Sequence, residues 1–171
     1  MLEYTINIKR YGGENMAYET ARAHLARYGF EDRIQLFDVS SATVELAAQA
    51  VGCAPAMIAK TLSFDINGTV ILILAAGDAK IDNQKYKAQF SCKAKMLGHD
   101  EAEARIGHAV GGVCPFGVND GVQVYLDVSL KRFEIVYPAC GTANSAVKLS
   151  PDELEACAQP IAWIDVCKNW E

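Results

Sequence analysis

Two runs of residues dominate the middle of the chain: AKTLSFDI and TVILILAA, separated by Asn67-Gly68. In the first, Leu62, Phe64 and Ile66 share one parity and Thr61, Ser63 and Asp65 the other, the period of a half-buried strand. Asn-Gly between two such runs predicts a type I′ hairpin. The second run, Val70–Ala76, is apolar throughout, which predicts a central strand covered on both faces. Lys60 has the parity of the apolar set. A lysine at the mouth of an apolar strand face must either reach solvent or meet an anion.

The flanking pattern is mixed. Tyr4–Lys9 reads as a short strand and Gly12-Gly13 as a break, so residues 1–15 are expected to extend a domain covering 16–171. Tyr18, Ala21, Leu25 and Tyr28 recur at helical spacing and stop at Gly29. Ile34–Val39 reads as a strand, Ser40 and Ser41 as caps for a helix ending at Gly52, and Pro55 as the first turn of another short helix. Gly77-Asp78 closes the second hairpin strand, and a helix from Asn83 to Phe90 follows Asp82. Lys93–Leu97 is a short strand candidate, and Asp100 and Glu103 have capping-box spacing for a helix up to Gly107. In Val122–Val128, Val122, Val124, Leu126 and Val128 alternate with Gln123, Tyr125 and Asp127, predicting one buried face. Glu134–Tyr137, Ala146–Leu149 and Ile161–Val166 read as further strands. Ser150-Pro151-Asp152-Glu153 supplies a cap, a proline at the first helical position and a glutamate at the third. The whole predicts a single α+β domain around a mixed sheet.

Composition narrows the function classes. The 171 residues are 51% hydrophobic and 22% charged, enough for one domain with a real core. No apolar run approaches the ~20 residues of a bilayer span, and no basic-then-apolar leader is visible. A cytoplasmic protein without a membrane partner is expected. The six cysteines show no C-x-x-C spacing, which favours reduced thiols over a zinc site or a disulfide framework. No H-x-x-x-H, carboxylate cluster, Walker lysine or G-x-G-x-x-G appears, so no metal and no cofactor are expected. A net charge of −5 argues against broad nucleic-acid binding and against DNA. From Ala79 to Lys95, however, Lys80, Lys85, Lys87, Lys93 and Lys95 face a single acid, Asp82. That segment is either a phosphate contact or a solvated helix face.

The stretch AVGGVCPFGVN, residues 109–119, has neither period. Gly111 and Gly112 allow unusual backbone angles and close approach of a ligand to main chain, while Pro115 biases Cys114 towards an extended conformation. Such a loop can present backbone groups to a small polar substrate, or simply connect two elements. Cys114 lies near His108 and His99 in sequence, but nothing around it matches a cysteine-hydrolase motif. A buried thiol is the simpler reading. His24, on a helix, reads as a surface or packing residue.

Taken in order, AKTLSF, AAGDAKID, VGGVCPFG, VYLD and YPACG…LSPDEL resemble the YbaK/ProX family over about residues 16–166. These are freestanding aminoacyl-tRNA editing domains related to the editing insertion of bacterial prolyl-tRNA synthetases. The resemblance implies a curved, barrel-like mixed sheet and hydrolysis of the ester on a mischarged tRNA, typically that for proline. It matches Lys60 to the family's essential lysine, Gly111-Gly112-Val113-Cys114-Pro115 to its G-x-x-x-P loop, and Gly141 to the glycine of a second pocket turn. On this reading Lys60 and Gly111 are catalytic, and Gly112, Val113, Cys114, Pro115 and Gly141 bind substrate. An aminoacyl ester is already activated, so a positioned water and backbone oxyanion stabilisation suffice. The expected partner is mischarged tRNA, with prolyl-tRNA synthetase or an elongation factor as a delivery partner. Two alternatives stand beside it: a non-catalytic tRNA- or synthetase-binding module of the same fold, and a Cys114-dependent hydrolase.

Overall fold

The computed structural model describes residues 12–171, with side chains from Met16 onward. The predicted strand Tyr4–Lys9 lies outside the described residues. Helix α1 spans Gly12–Ala26, so Gly12 and Gly13 open a helix rather than break the chain, and the expected boundary at Met16 falls inside it.

Five strands form one curled sheet in the order β6-β2-β3-β5-β8: Tyr137–Pro138, Ile58–Ile66, Thr69–Ala76, Gln123–Asp127 and Ala162–Ile164. The β2–β3 hairpin is antiparallel, and the other three pairings are parallel. Asn67 (φ 52°) and Gly68 (φ 86°) both take the left-handed angles of the predicted turn. Strand β3 is the centre of the sheet, and every residue from Val70 to Ala76 is buried. Two antiparallel ladders flank the sheet: β1 (Ile34–Leu36) with β7 (Ser145–Val147), and β4 (Lys80–Ile81) with β9 (Cys167–Lys168).

The remaining helices are α2 (Val44–Val51), α3 (Asn83–Phe90), α4 (His99–Ile106) and α5 (Pro151–Ala158). Helix α5 starts with the full capping box on Ser150 and Glu153, and Asp82 caps α3 through the Gln84 and Lys85 amides. Two caps differ from expectation. Thr43, rather than Ser40 or Ser41, caps α2 through the Leu46 amide. Gly98 precedes α4 without a side-chain cap, which leaves Asp100 and Glu101 in its first turn, where carboxylates favour the dipole. Pro55 opens a short 3-10 turn as expected.

Several predicted strands are shorter than their apolar runs. Residues 93–97 contribute one bridge, Met96 to Phe64, supported by bonds from the Asp65 amide to the Lys95 carbonyl and from the Leu97 amide to the Ser63 carbonyl. Asp127 is the clearest departure in β5. Its parity places it with the outward set, yet it is fully buried. Its carboxylate accepts from the Ser129 and Val166 amides, each at 2.9 Å, and so ties the end of β5 to the chain's last segment.

The two faces of β2 are covered differently. On the even face, Phe64 packs against Tyr86 of α3 with ring centroids 5.1 Å apart. On the odd face, Asp65 pairs with Arg105 of α4 at 2.7 Å. Along its outer edge β2 is paired only at its two ends. The β6 ladder stops at Ala59, and the Met96 bridge begins around Ser63. The middle of that edge, Lys60–Leu62, opens onto a cleft.

Candidate active site

The cleft encloses about 380 Å³. Its floor is β2 from Ile58 to Ser63. One wall is the start of α2, and the other combines α4 with Val110, Gly111 and Val113. The lining is mainly small and apolar, with Lys60, Thr61, His99 and Tyr137 among its polar contributors. That chemistry suits a small ligand with a few oriented polar atoms.

Lys60 and the glycine loop therefore border one cavity. The Lys60 ammonium donates to the Gly77 carbonyl at 3.4 Å and to the Ala79 carbonyl. Gly77 in turn packs on Val44, a residue of the cleft lining. Burial pulls its pKa down, while the charges of Cys167 and Asp78 oppose the shift. A lysine has three N–H donors, and these two carbonyls take two. The third has no partner among the described residues. Asp78, close by, is held ionised chiefly by the Arg132 guanidinium, at 2.6 Å.

The loop residues divide into two groups. Gly111 (φ 96°) and Val113 lie on the cleft surface. Gly112, Cys114 and Pro115 lie behind it, buried. A Cβ on Gly112 would stand 2.6 Å from the Thr142 nitrogen and 2.7 Å from the Gly141 carbonyl oxygen, so the two glycine turns pack back to back. Gly141 in turn meets α1: its Cβ would stand 2.5 Å from the Ala17 carbonyl oxygen. Gly112 and Gly141 thus shape the cleft wall without lining the cleft.

Cys114 is fully buried, and burial raises its thiol pKa well above the usual value. A nucleophilic cysteine needs the opposite environment. His108 beside it is also fully buried. Its Nδ1 accepts from the Cys114 amide at 3.3 Å, and burial lowers its pKa to about 4. The pair is a neutral packing contact that fixes the loop, which counts against the Cys114-dependent hydrolase. His24 has a comparable role. Its Nδ1 accepts from the Gly117 amide at 3.1 Å and its Nε2 donates to the Cys157 carbonyl at 2.6 Å, joining α1 to the loop and to α5. His99 lies on the cleft rim. Among the described residues no group of three potential metal ligands occurs, and no helix is long and apolar enough to cross a membrane.

Parity reasoning missed Thr61. It points to the face that α4 and the glycine loop cover, whereas attention to Lys60 favours the opposite face. The period-2 pattern carried that signal, since Thr61, Ser63 and Asp65 were already the non-core set. Of the lysine-rich segment, Lys85 is committed to Asp165 at 3.0 Å, while Lys80, Lys87, Lys93 and Lys95 are exposed.

The chain is thus an α+β domain with a small, mainly apolar cleft at the open edge of its central hairpin. The family profile described as the aminoacyl-tRNA editing domain matches residues 39–157, and the chain belongs to that family. It is 51% identical over 157 residues to the uncharacterised protein YwhH of Bacillus subtilis, covering 91% of this chain and all of that protein. It is 25% identical over 114 residues to EbsC of Enterococcus faecalis, described as a candidate Cys-tRNA(Pro)/Cys-tRNA(Cys) deacylase, covering 66% of this chain and 70% of EbsC. A 90-residue match at 29% identity to the proline–tRNA ligase of Lysinibacillus sphaericus covers 52% of this chain and 16% of the ligase. Among solved structures, one described as a candidate trans-editing enzyme for prolyl-tRNA synthetase superposes with a TM-score of 0.80 at 27% identity, covering 89% of this chain and 97% of that one. The curled mixed sheet expected from the sequence is the fold of that relative.

Proposed function

We propose that the protein is a trans-editing deacylase. It hydrolyses the ester between a wrong amino acid and the terminal ribose of a tRNA, with tRNA for proline as the preferred tRNA and Cys- or Ala-tRNA(Pro) as representative substrates. The observation that carries this reading is that Lys60 of β2 and Gly111 and Val113 of the glycine loop line one and the same cleft.

The chemistry follows from what those groups offer. The ester carbonyl lies against the loop backbone, which orients it beside an attacking water. As water adds, negative charge grows on the carbonyl oxygen. A donor already fixed in place stabilises that charge without reorganising. The Lys60 ammonium, held by the Gly77 and Ala79 carbonyls, is such a donor. No covalent enzyme intermediate is required, and the buried Cys114 takes no part. The exposed Lys87, Lys93 and Lys95 offer cations to backbone phosphates. With a net charge of −5 they give modest tRNA affinity, so a synthetase or elongation factor delivers the substrate.

The name of EbsC and the match to a proline–tRNA ligase support the choice of tRNA. The test is a deacylation panel on tRNA for proline charged with cysteine, alanine, serine, threonine or proline. Hydrolysis of at least one non-cognate ester, sparing prolyl-tRNA and abolished by Lys60→Ala, is the expected result. Binding of tRNA or synthetase with no hydrolysis of any ester would make the protein a non-catalytic module.

A further inference from the structure

We propose that Thr61 is a substrate-contacting residue of the cleft, its hydroxyl pairing with a polar group on the aminoacyl moiety; this rests on the deacylase reading above. Thr61 lines the cleft from the middle of β2, on the face opposite the core residue Phe64 and the same face as Asp65, which α4 covers. Its Oγ1 is buried and has no hydrogen-bond partner. Three other hydroxyls of the cleft lining are committed, those of Ser41, Thr43 and Ser145. Ser41 Oγ donates to the Ser145 carbonyl at 3.4 Å, and Thr43 Oγ1 accepts from the Leu46 amide at 3.2 Å. Ser145 Oγ accepts from the Cys140 amide at 2.9 Å and donates to the Thr142 carbonyl at 3.1 Å.

A buried hydroxyl without a partner is a standing cost to the free protein. Valine has the same shape without that cost, so a purely structural position is better served by valine. The residue keeps part of its surface on the cleft, and rotation about χ1 exchanges hydroxyl for methyl. Because the hydroxyl gives up no bond when it turns, a ligand polar atom in the cleft can recruit it for little more than a rotamer change. Against small, mainly apolar walls, that bond discriminates: a site that hydrogen-bonds its substrate disfavours the analogue lacking the group.

The test compares wild type, Thr61→Val and Thr61→Ser on the same panel of tRNA(Pro) esters, reading kcat/KM for each together with Tm. Thr61→Val is expected to lose on the order of tenfold in kcat/KM on at least one ester. Its Tm should equal or exceed that of wild type, and Thr61→Ser should restore most of the lost rate. A loss confined to seryl and threonyl esters places the contact on the amino acid's own hydroxyl. An equal loss on all esters, alanyl included, places it on the α-amino group. Both outcomes support the proposal. Unchanged kcat/KM across the panel overturns it, as does a rate loss that tracks a lowered Tm and is not rescued by serine. Wild type inactive on every ester overturns the deacylase reading itself, a distinguishable result.

Discussion

Lys60, Cys114 and His108 occupy three environments, and each environment sets a role. The Lys60 ammonium is half-buried and held by two carbonyls, so Lys60→Ala should lower deacylation by about 100-fold or more while the domain stays folded. Circular dichroism and single-turnover hydrolysis separate the two effects. Cys114 is shut away from the cleft, and Cys114→Ser should keep wild-type turnover; complete loss in a folded variant would restore the thiol mechanism. His108 sets a pH dependence. Its folded pKa of about 4 lies below the ordinary 6.5, so the unfolded chain takes up a proton first as pH falls. The stability it contributes is whole above about pH 6.5 and drains away between 6.5 and 4, by up to about 3 kcal/mol. Urea midpoints across that range should fall less steeply in His108→Asn, whose side-chain oxygen can still accept from the Cys114 amide. Equal slopes would remove His108 as the cause. Lysine and thiol were both visible as candidates in the sequence. What separated them was depth, which a linear pattern does not carry.

At the scale of elements, the local signals were the legible ones. The hairpin turn at Asn67-Gly68, the Ser150 capping box and the Asp82 cap depend on a few adjacent residues, and each forms where the sequence places it. The cap of α2 did not fall on Ser41 because the 143–145 segment holds that residue, its amide bonding the Ala143 carbonyl and its hydroxyl the Ser145 carbonyl, and Thr43 caps the helix instead. Asp127 was misplaced for the same reason, since its amide partners lie across the fold at Val166 as well as next door. Two glycines test the distinction between local and tertiary demands. Gly68→Ala strains only a left-handed turn with open space around it, and should cost about 1 kcal/mol. Gly112→Ala drives a methyl into the main chain at 141–142, and should cost about 3 kcal/mol. In a domain of this size that lowers Tm by roughly 6–12 °C. Similar Tm values for the two variants would refute the back-to-back packing of the loops.

Across the whole molecule, the α+β class and the central place of β3 could be read from one continuous apolar run between turn signals. The parallel pairings of β3 with β5 and β5 with β8 could not, because nothing in a short strand names its distant neighbour. The cleft depends on pairings of the same long-range kind. It exists because β6 and the Met96 bridge each stop short along the same edge of β2. For that reason the sequence named Lys60 and the glycine loop but not Thr61 or the α4 wall. If charged tRNA is the substrate, the exposed Lys93 and Lys95, which precede the cleft residues Met96 and Leu97, carry its salt dependence. Lys93→Glu with Lys95→Glu should raise KM for charged tRNA, with little change in kcat, and flatten the response to added salt. The most direct test of the account remains hydrolysis itself: single-turnover deacylation of non-cognate aminoacyl-tRNA(Pro) by wild type and by Lys60→Ala at equal fold. Release of the amino acid by wild type and a loss of about 100-fold or more in the variant are expected. Hydrolysis that persists unchanged without the Lys60 ammonium would contradict the account.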